Sequence, residues 1–366
     1  MRLKLDKQKL CNAVSIVNHA ISSKTTMPIL EGIKIKTVTE GVKLTCYDMT
    51  LGIETVIPAT VQEDGEAVVP GRLFYEISRK LPNDAEVDLY FSESFVEITC
   101  AGSKTKMQTL PVEDFPMLPE VDEENVFEYS QEKIKDMIKK TLFAAAIDES
   151  RPILTGILFE IVDNSLKLVS LDGYRMAIAG HDMGESGESV TAVVPSSTLA
   201  EVGRIIQNEG MIKIAFTKAY ILFQTESIKM VSRLIEGEYI KYRQIIPAEW
   251  QTRFTVQSGE LAQCIDRAST ISSGGNNLVV FNVGANQVNI DSENELGNVH
   301  EVIDSQVEGK EIQIAFNSRY IFDFLKNIDN QQISLSFTTN VSPCVITPVE
   351  NDDFLYLLLP VRIYAE

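Results

Sequence analysis

The three histidines of the 366-residue chain, His19, His181 and His300, are not spaced with one another, a cysteine or a carboxylate as a zinc site requires. The sequence carries no G-x-S-x-G nucleophile turn, no P-loop and no G-x-G-x-x-G dinucleotide loop. The carboxylate pairs Glu113-Asp114 and Asp352-Asp353 lie in turn-like segments and read as polar loops. Five cysteines (Cys11, Cys46, Cys100, Cys264, Cys344) are far apart and odd in number. That pattern fits reduced thiols in the cytoplasm; a Cys46–Cys100 disulfide is the one pairing the spacing leaves open. The segment with the most chemistry is Asp172-Gly173-Tyr174-Arg175. A glycine after a strand end permits positive φ and a tight turn, which would expose Tyr174 and Arg175. Tyrosine and arginine together could serve an enzyme, but they more readily anchor a partner at a binding surface. No cofactor is implied.

The elements that would position this turn are written as a repeat. Residues 28–48 and 152–172 share nine identities in 21 aligned positions, from Pro28/Pro152 to Asp48/Asp172, at an offset of 124. Ala67–Pro70 and Ala192–Pro195 continue the match at an offset of 125. A fainter third copy is visible at 278–290 and 311–328, and each copy closes on an apolar-Pro step at 118–119, 246–247 and 359–360. A period near one third of the chain means three whole domains, not a solenoid of small units. The boundaries predicted are 1–120, 125–248 and 250–366. In each copy the pattern predicts a helix, an alternating strand pair, a further strand, a second helix and a strand-rich end. The helix windows are 7–20, 71–81, 131–145, 196–208, 258–270 and 317–328; the first of each pair has a plausible cap, Asp6 before 7–20, Ser130 before 131–145 and Ser258 before 259–270. The fold class is therefore α+β, two helices on antiparallel sheet in each domain.

Composition excludes other classes. With 44% hydrophobic and 23% charged residues the chain is globular rather than disordered. The amino terminus has no signal-peptide apolar core, and no apolar stretch approaches the length of a membrane span. The net charge of −19 argues against nucleic acid if taken as a whole. Sorted by element it reads differently: the six helix windows hold thirteen basic and seven acidic residues, net +6, leaving −25 on the rest. Basic helices gathered on one surface would attract phosphates while the acidic remainder repels them, and contact would be independent of base sequence. The segment 356–363, YLLLPVRI, is too apolar for a solvated tail and reads as a docked end strand. Exposed apolar groups beside Arg175 would instead form a peptide groove.

Together the MPIL (27–30), RPILTG (151–156), LDGYRMA (171–177) and LLLPVRI (357–363) segments, in three repeats of this length, resemble the bacterial sliding clamps, the beta subunits of replicative DNA polymerase III. The resemblance implies the DNA clamp fold and a head-to-tail homodimer, a six-domain ring around duplex DNA. The implied function is an accessory processivity factor, not an enzyme. Its implied partners are double-stranded DNA, the polymerase III alpha-type subunit, a clamp loader and other clamp-motif proteins: repair polymerases, ligase and mismatch-repair proteins.

The resemblance also assigns residues. A peptide groove would use Leu154, Leu171, Gly173, Tyr174, Arg175 and Met176 from the second repeat. Ile240, Gln244 and Ile245 would come from the following segment, Asn317, Tyr320 and Pro343 from the third repeat. Leu357, Leu359, Pro360, Val361 and Arg362 would come from the carboxyl end. Tyr174, Ile240 and Gln244 depart from the best-known member, which bears on peptide preference. Lys24 and Arg151 would face DNA from loops, and Arg72, Arg79, Lys80, Lys133, Lys139, Lys140 and Arg204 from helices. The dimer seam would pair Lys104, Lys106 and Met107 with Thr270, Ile271, Glu293, Glu295 and Glu301. Two rival readings are a monomeric peptide-binding scaffold of the same repeat and an enzyme built on Asp172, Tyr174 and Arg175.

Overall fold

A computed structural model describes residues 1–21, 25–83, 85–121, 126–183, 189–272 and 277–362. The first repeat runs β1 (Arg2–Asp6), α1 (Lys7–Asn18), β2 (Gly32–Val38), β3 (Gly41–Tyr47), β4 (Leu51–Ile57), β5 (Thr60–Glu63), β6 (Glu66–Pro70), α2 (Gly71–Lys80), β7 (Glu86–Phe91), β8 (Phe95–Cys100) and β9 (Ser103–Gln108). The second runs β10 (Val126–Ser130), α3 (Gln131–Leu142), β11 (Gly156–Val162), β12 (Ser165–Leu171), β13 (Arg175–Asp182), β14 (Val190–Pro195), α4 (Ser196–Ile205), β15 (Met211–Phe216), β16 (Tyr220–Gln224) and β17 (Ile228–Arg233). The third runs β18 (Thr252–Gln257), α5 (Ser258–Ser272), β19 (Leu278–Val283), β20 (Gln287–Asn294), β21 (Gly297–Asp304), β22 (Val307–Gly309), β23 (Ile312–Asn317), α6 (Ser318–Lys326), β24 (Gln332–Phe337), β25 (Cys344–Pro348) and β26 (Phe354–Leu358).

The sequence pattern finds the six helices and the strand pairs 32–38/41–47 and 156–162/165–171. It misses that each repeat opens with a strand before the first helix, because RLKLD, VFEYS and TRFTVQ are too short to show a period. Most predicted helices end two or three residues earlier, while α5 reaches Ser272. Asp6 does cap α1, accepting from Lys9 N at 2.9 Å. Ser258 does not cap α5: it is buried, and its hydroxyl ties the helix start to the 329–331 turn through Asp329 O and Gln331 N.

The repeat is visible in packing. Short 3-10 turns open on Pro28 and Pro152, and each leads into a strand beginning with glycine. A Cβ on Gly32 would lie 2.5 Å from Val68 Cγ1, and one on Gly156 2.5 Å from Val193 Cγ1, so the shared glycine is required by the same close approach in both copies.

The chain folds as two compact units, Met1–Glu132 with Glu201–Leu234, and Lys133–Ala200 with Ile235–Glu366. The first contains a five-stranded sheet, order β5-β1-β7-β8-β9, and an eight-stranded sheet, order β10-β15-β16-β17-β4-β3-β2-β6. Strand β17 pairs with β4 from Ile228↔Thr55 to Ser232↔Leu51, so the eight-stranded sheet spans two repeats. Helix α1 packs on α2 and on strands β3 and β4. The second unit contains a nine-stranded sheet, order β14-β11-β12-β13-β26-β25-β24-β18-β22, and a four-stranded sheet, order β21-β20-β19-β23, with α5 packed on α6. All strand pairs are antiparallel. Of the end strand predicted over 356–363, residues 356–358 are strand, the end of β26 between β13 and β25, whereas 359–362 run on beyond it with a single bridge at Val361, and 363 lies outside the described residues.

Candidate peptide-binding site

The Asp172–Arg175 turn forms as its sequence dictates. Gly173 has φ +93°, and the Asp172 carboxylate accepts from Tyr174 N at 2.9 Å and Arg175 N at 3.1 Å. Tyr174 is 62% exposed, as expected. Arg175 is not: its side chain is only 10% exposed, which corrects the prediction that the turn presents it to solvent. The guanidinium donates Nε to Asp172 at 2.9 Å and Nη1 to Asp323 of α6 at 2.6 Å. It lies 4.5 Å from the Tyr320 ring centre and 5.7 Å from that of Phe143. Burial lowers its pKa, and the Tyr356 hydroxyl and the carboxylates of Asp323 and Asp172 outweigh that effect, so the net direction is upward. A buried charge with two carboxylates and two rings is a fixed structural strut.

The strut stands beside an apolar floor. Leu154, Leu171, Met176 and Leu357 are fully buried in one cluster with Leu158, Val169, Val193, Tyr239 and Tyr242. Leu171 pairs with Met176, and Met176 with Leu357, so three adjacent strands contribute one rung of the floor. Around it Ile240, Ile245, Leu359 and Val361 are exposed large apolar residues. Tyr174 stacks on Tyr320 with ring centres 6.2 Å apart. The carboxyl segment is stitched into place: Leu359 N donates to Tyr174 O at 2.9 Å, and Val361 bridges Ala315 at the edge strand β23. Gln244 and Arg362 are exposed, and Pro343 and Pro360 half-buried. Asn317 is committed to capping α6, accepting from Arg319 N.

Tyr239 and Tyr242 belong to the site but were not anticipated. The Tyr239 hydroxyl donates to Val169 O at 3.3 Å, and that of Tyr242 to Glu160 at 2.7 Å. Burial drives both phenol pKa values upward, with the Glu160 carboxylate adding to the effect at Tyr242. The sequence holds one signal for them: tyrosines three apart in a segment, EYIKYRQ, that is polar apart from Ile240.

The residues predicted to face DNA fall in both units. Arg72, Arg79 and Lys80 on α2 are exposed, but Arg79 and Lys80 share Glu76 at 3.3 and 3.7 Å. Arg204 on α4 pairs with Glu201 at 2.7 Å, and Glu201 also meets the exposed His19 at 2.7 Å. In the second unit Lys133 and Arg151 are exposed, and Lys139 is 4.0 Å from Asp329. Lys140 is half-buried on Asp136 at 2.6 Å, over the Phe354 ring. Lys24 and residues 363–366 lie outside the described residues. The observed helices hold the same thirteen basic and seven acidic residues as the predicted windows.

The predicted seam residues sit at two sheet edges. Lys104 and Lys106 project from the edge strand β9, Lys104 to Glu97 at 2.9 Å and Lys106 over the Phe95 ring. Met107 is buried beneath the same sheet, opposite Val96, so its side chain supports the strand instead of meeting a partner. Glu301 is on the edge strand β21, held by Arg267 Nε at 2.7 Å and Nη2 at 2.6 Å. Glu293 and Glu295 are exposed near it. Thr270 and Ile271 close α5, where Ile271 O accepts from Asn294 Nδ2. Among the described residues no cluster of metal-ligating side chains occurs, all five cysteines are free thiols, and no helix is long and apolar enough to cross a membrane.

This fold and site define a class. Residues 1–119, 128–241 and 243–362 match the family models for the N-terminal, central and C-terminal domains of the DNA polymerase III beta subunit. The chain belongs to the DNA polymerase III beta subunit family. It is 34% identical to the beta sliding clamp of Halalkalibacterium halodurans over 100% of both chains. It is 35% identical to that of Staphylococcus aureus over 94% of this chain and 95% of the relative. Among solved structures, the putative DNA polymerase III beta subunit of Eubacterium rectale superposes with a TM-score of 0.95 at 35% identity, covering 99% of this chain and 100% of that one. The DNA polymerase sliding clamp of Bacillus subtilis superposes at 0.96 with 31% identity over 100% of both.

Proposed function

We propose that the chain is a DNA sliding clamp: a cytoplasmic accessory factor that closes head to tail with a second copy around duplex DNA. On this reading it tethers the replicative polymerase, and other proteins with a short apolar motif, to the template. Tethering raises the polymerase's effective concentration at the primer end. The observation that carries the DNA-encircling part is the sorting of charge: net-basic helices in a chain of net charge −19. Weak backbone contact inside a ring needs only a mild positive surface, and an acidic exterior keeps DNA from binding elsewhere. Closure is supported by two sheet edges, β9 with Lys104 and Lys106 and β21 with Glu301, beside which Glu293 of β20 and Glu295 of the β20–β21 turn are exposed; their pairing would be a heterologous contact that closes. Partner capture is supported by the exposed apolar rim over the Leu171–Met176–Leu357 floor.

The test is retention. The protein is loaded with a cognate clamp loader and ATP onto nicked circular DNA, the salt is raised, and the circle is then cut once. A closed ring survives the salt and leaves on linearisation, whereas ordinary phosphate binding is lost steeply with salt. Loss before the cut, with peptide binding intact, would favour the monomeric scaffold.

A further inference from the structure

The floor rung Leu171–Met176–Leu357 is not the last on its face of the nine-stranded sheet. Side chains alternate along a strand, so the next positions on that face are two residues away, about 7 Å along the sheet. The second rung is Leu158, Val169, Ile178 and Leu355, paired in register across four strands. The third is Glu160, Lys167 and Gly180, with Gly180 N donating to Asp353 O at 2.7 Å.

Over these outer rungs lies a separate cavity of about 200 Å³. Ile178, Leu355 and Ile246 give it an apolar lining, and all three pack against the cluster that forms the groove floor. Its wall is the same 239–246 segment that supplies Ile240 and Ile245 to the groove. That wall is held stiffly, because Tyr242 and Arg243 both bond Glu160, at 2.7 and 2.6 Å. Gly180 keeps the far end open: a Cβ there would stand 3.3 Å from Lys167 Cγ. The outer lip is the β25–β26 turn, which carries Glu350, Asp352 and Asp353, all exposed. Lys167 and His181 face this lip from β12 and β13, with His181 Nδ1 3.8 Å from Asp353; Arg243, the other basic lining residue, is held by Glu160, which leaves Asp352 and Asp353 against Lys167.

We propose that this cavity is a further subsite of the groove, occupied by residues of the same partner peptide that flank its apolar motif: one aliphatic or aromatic side chain on Ile178, Ile246 and Leu355, next to a basic residue that meets Asp352 and Asp353. The inference rests on the groove reading given above. Continuity of the floor, one shared wall and the sign of the lip select this occupant.

The experiment measures binding of short peptides to the full chain by fluorescence anisotropy. The probes are a core peptide with leucine and phenylalanine anchors, and the same peptide extended at its amino or carboxyl end by Ser-Leu-Lys, with Ser-Gly-Ser extensions as controls. The subsite lies at one end of the floor, so Ser-Leu-Lys is expected to tighten binding about tenfold at one end only, the gain of one largely buried aliphatic side chain. Gly180→Leu fills the cavity and is expected to cut that gain below about threefold, leaving the core affinity unchanged. Should Gly180→Leu misfold, Asp352→Lys with Asp353→Lys reverses the lip on an exposed turn, and the lysine-dependent part of the gain is then lost. A gain at both ends or neither, or a gain that survives both variants, overturns the subsite while the core peptide still binds. Failure of the core peptide itself overturns the groove, and the subsite with it.

Discussion

Arg175 shows how a side chain can be essential to a surface without being on it. Its guanidinium joins the β12–β13 turn to α6 and carries the Tyr320 ring that stacks on Tyr174. Arg175→Ala is expected to destabilise the chain by about 1–3 kcal/mol, since Asp172 and Asp323 lose their partner, and to weaken core-peptide binding at least about tenfold. Urea denaturation and anisotropy check the two effects. Half of this was legible in the sequence. The turn follows from Asp172 and Gly173 within four residues, but Asp323 lies 148 residues away, and nothing local announces it. Lone arginines in turns face solvent by default, so the burial was missed. Glu301 offers a second residue-scale test. The hydrogen bond from Arg267 holds its carboxyl below the usual glutamate range, so the pair's stabilisation is complete above the unfolded value of about 4.3 and lost as pH falls through the lower folded value. Both side chains are partly solvated, so water and salt screen the pair and the effect is small. The melting-temperature gap between wild type and Arg267→Ala should be constant above pH 5 and close below about pH 4.

At the scale of elements, legibility followed burial. Strands with alternating or continuous apolar character, such as GIKIKTV and GILFEIV, declare themselves. The edge strands β9, SKTKMQ, and β21, GNVHEVID, do not, because polar side chains are what keep an exposed edge from indiscriminate pairing. Met107 is the exception that proves informative: its inward side chain fixes the register that turns Lys104 and Lys106 outward. On the proposed ring, Lys104→Glu with Lys106→Glu places like charge against Glu301 of β21 and Glu293 and Glu295 beside it. The dimer constant is expected to rise at least about tenfold, read by light scattering across concentration, and Glu293→Lys with Glu295→Lys in the same chain should recover part of it.

For the whole molecule, the three-fold repeat and the charge sorting came from sequence alone, because both are sums over many residues and tolerate errors at element ends. The assignment of helix lysines to a DNA-facing surface loses some force at this scale, since Arg79, Lys80, Lys140 and Arg204 each have an acidic helical neighbour three or four residues away. Salt sensitivity of DNA contact should accordingly be shallower than a count of thirteen basic residues suggests. Deleting 360–366 together with Arg175→Ala should abolish partner binding and leave the dimer intact by light scattering. Loss of the dimer would show that the segment is structural.

The sheet that joins β17 to β4 makes one peptide link redundant. Five consecutive rungs, Leu51–Thr55 against Ile228–Ser232, hold the first repeat to the second independently of the chain that runs between them. A polypeptide severed after Glu120 would therefore stay in one piece, and its two parts, made from separate genes, should find each other and assemble. What was inherited as a single tandem chain need not have begun as one.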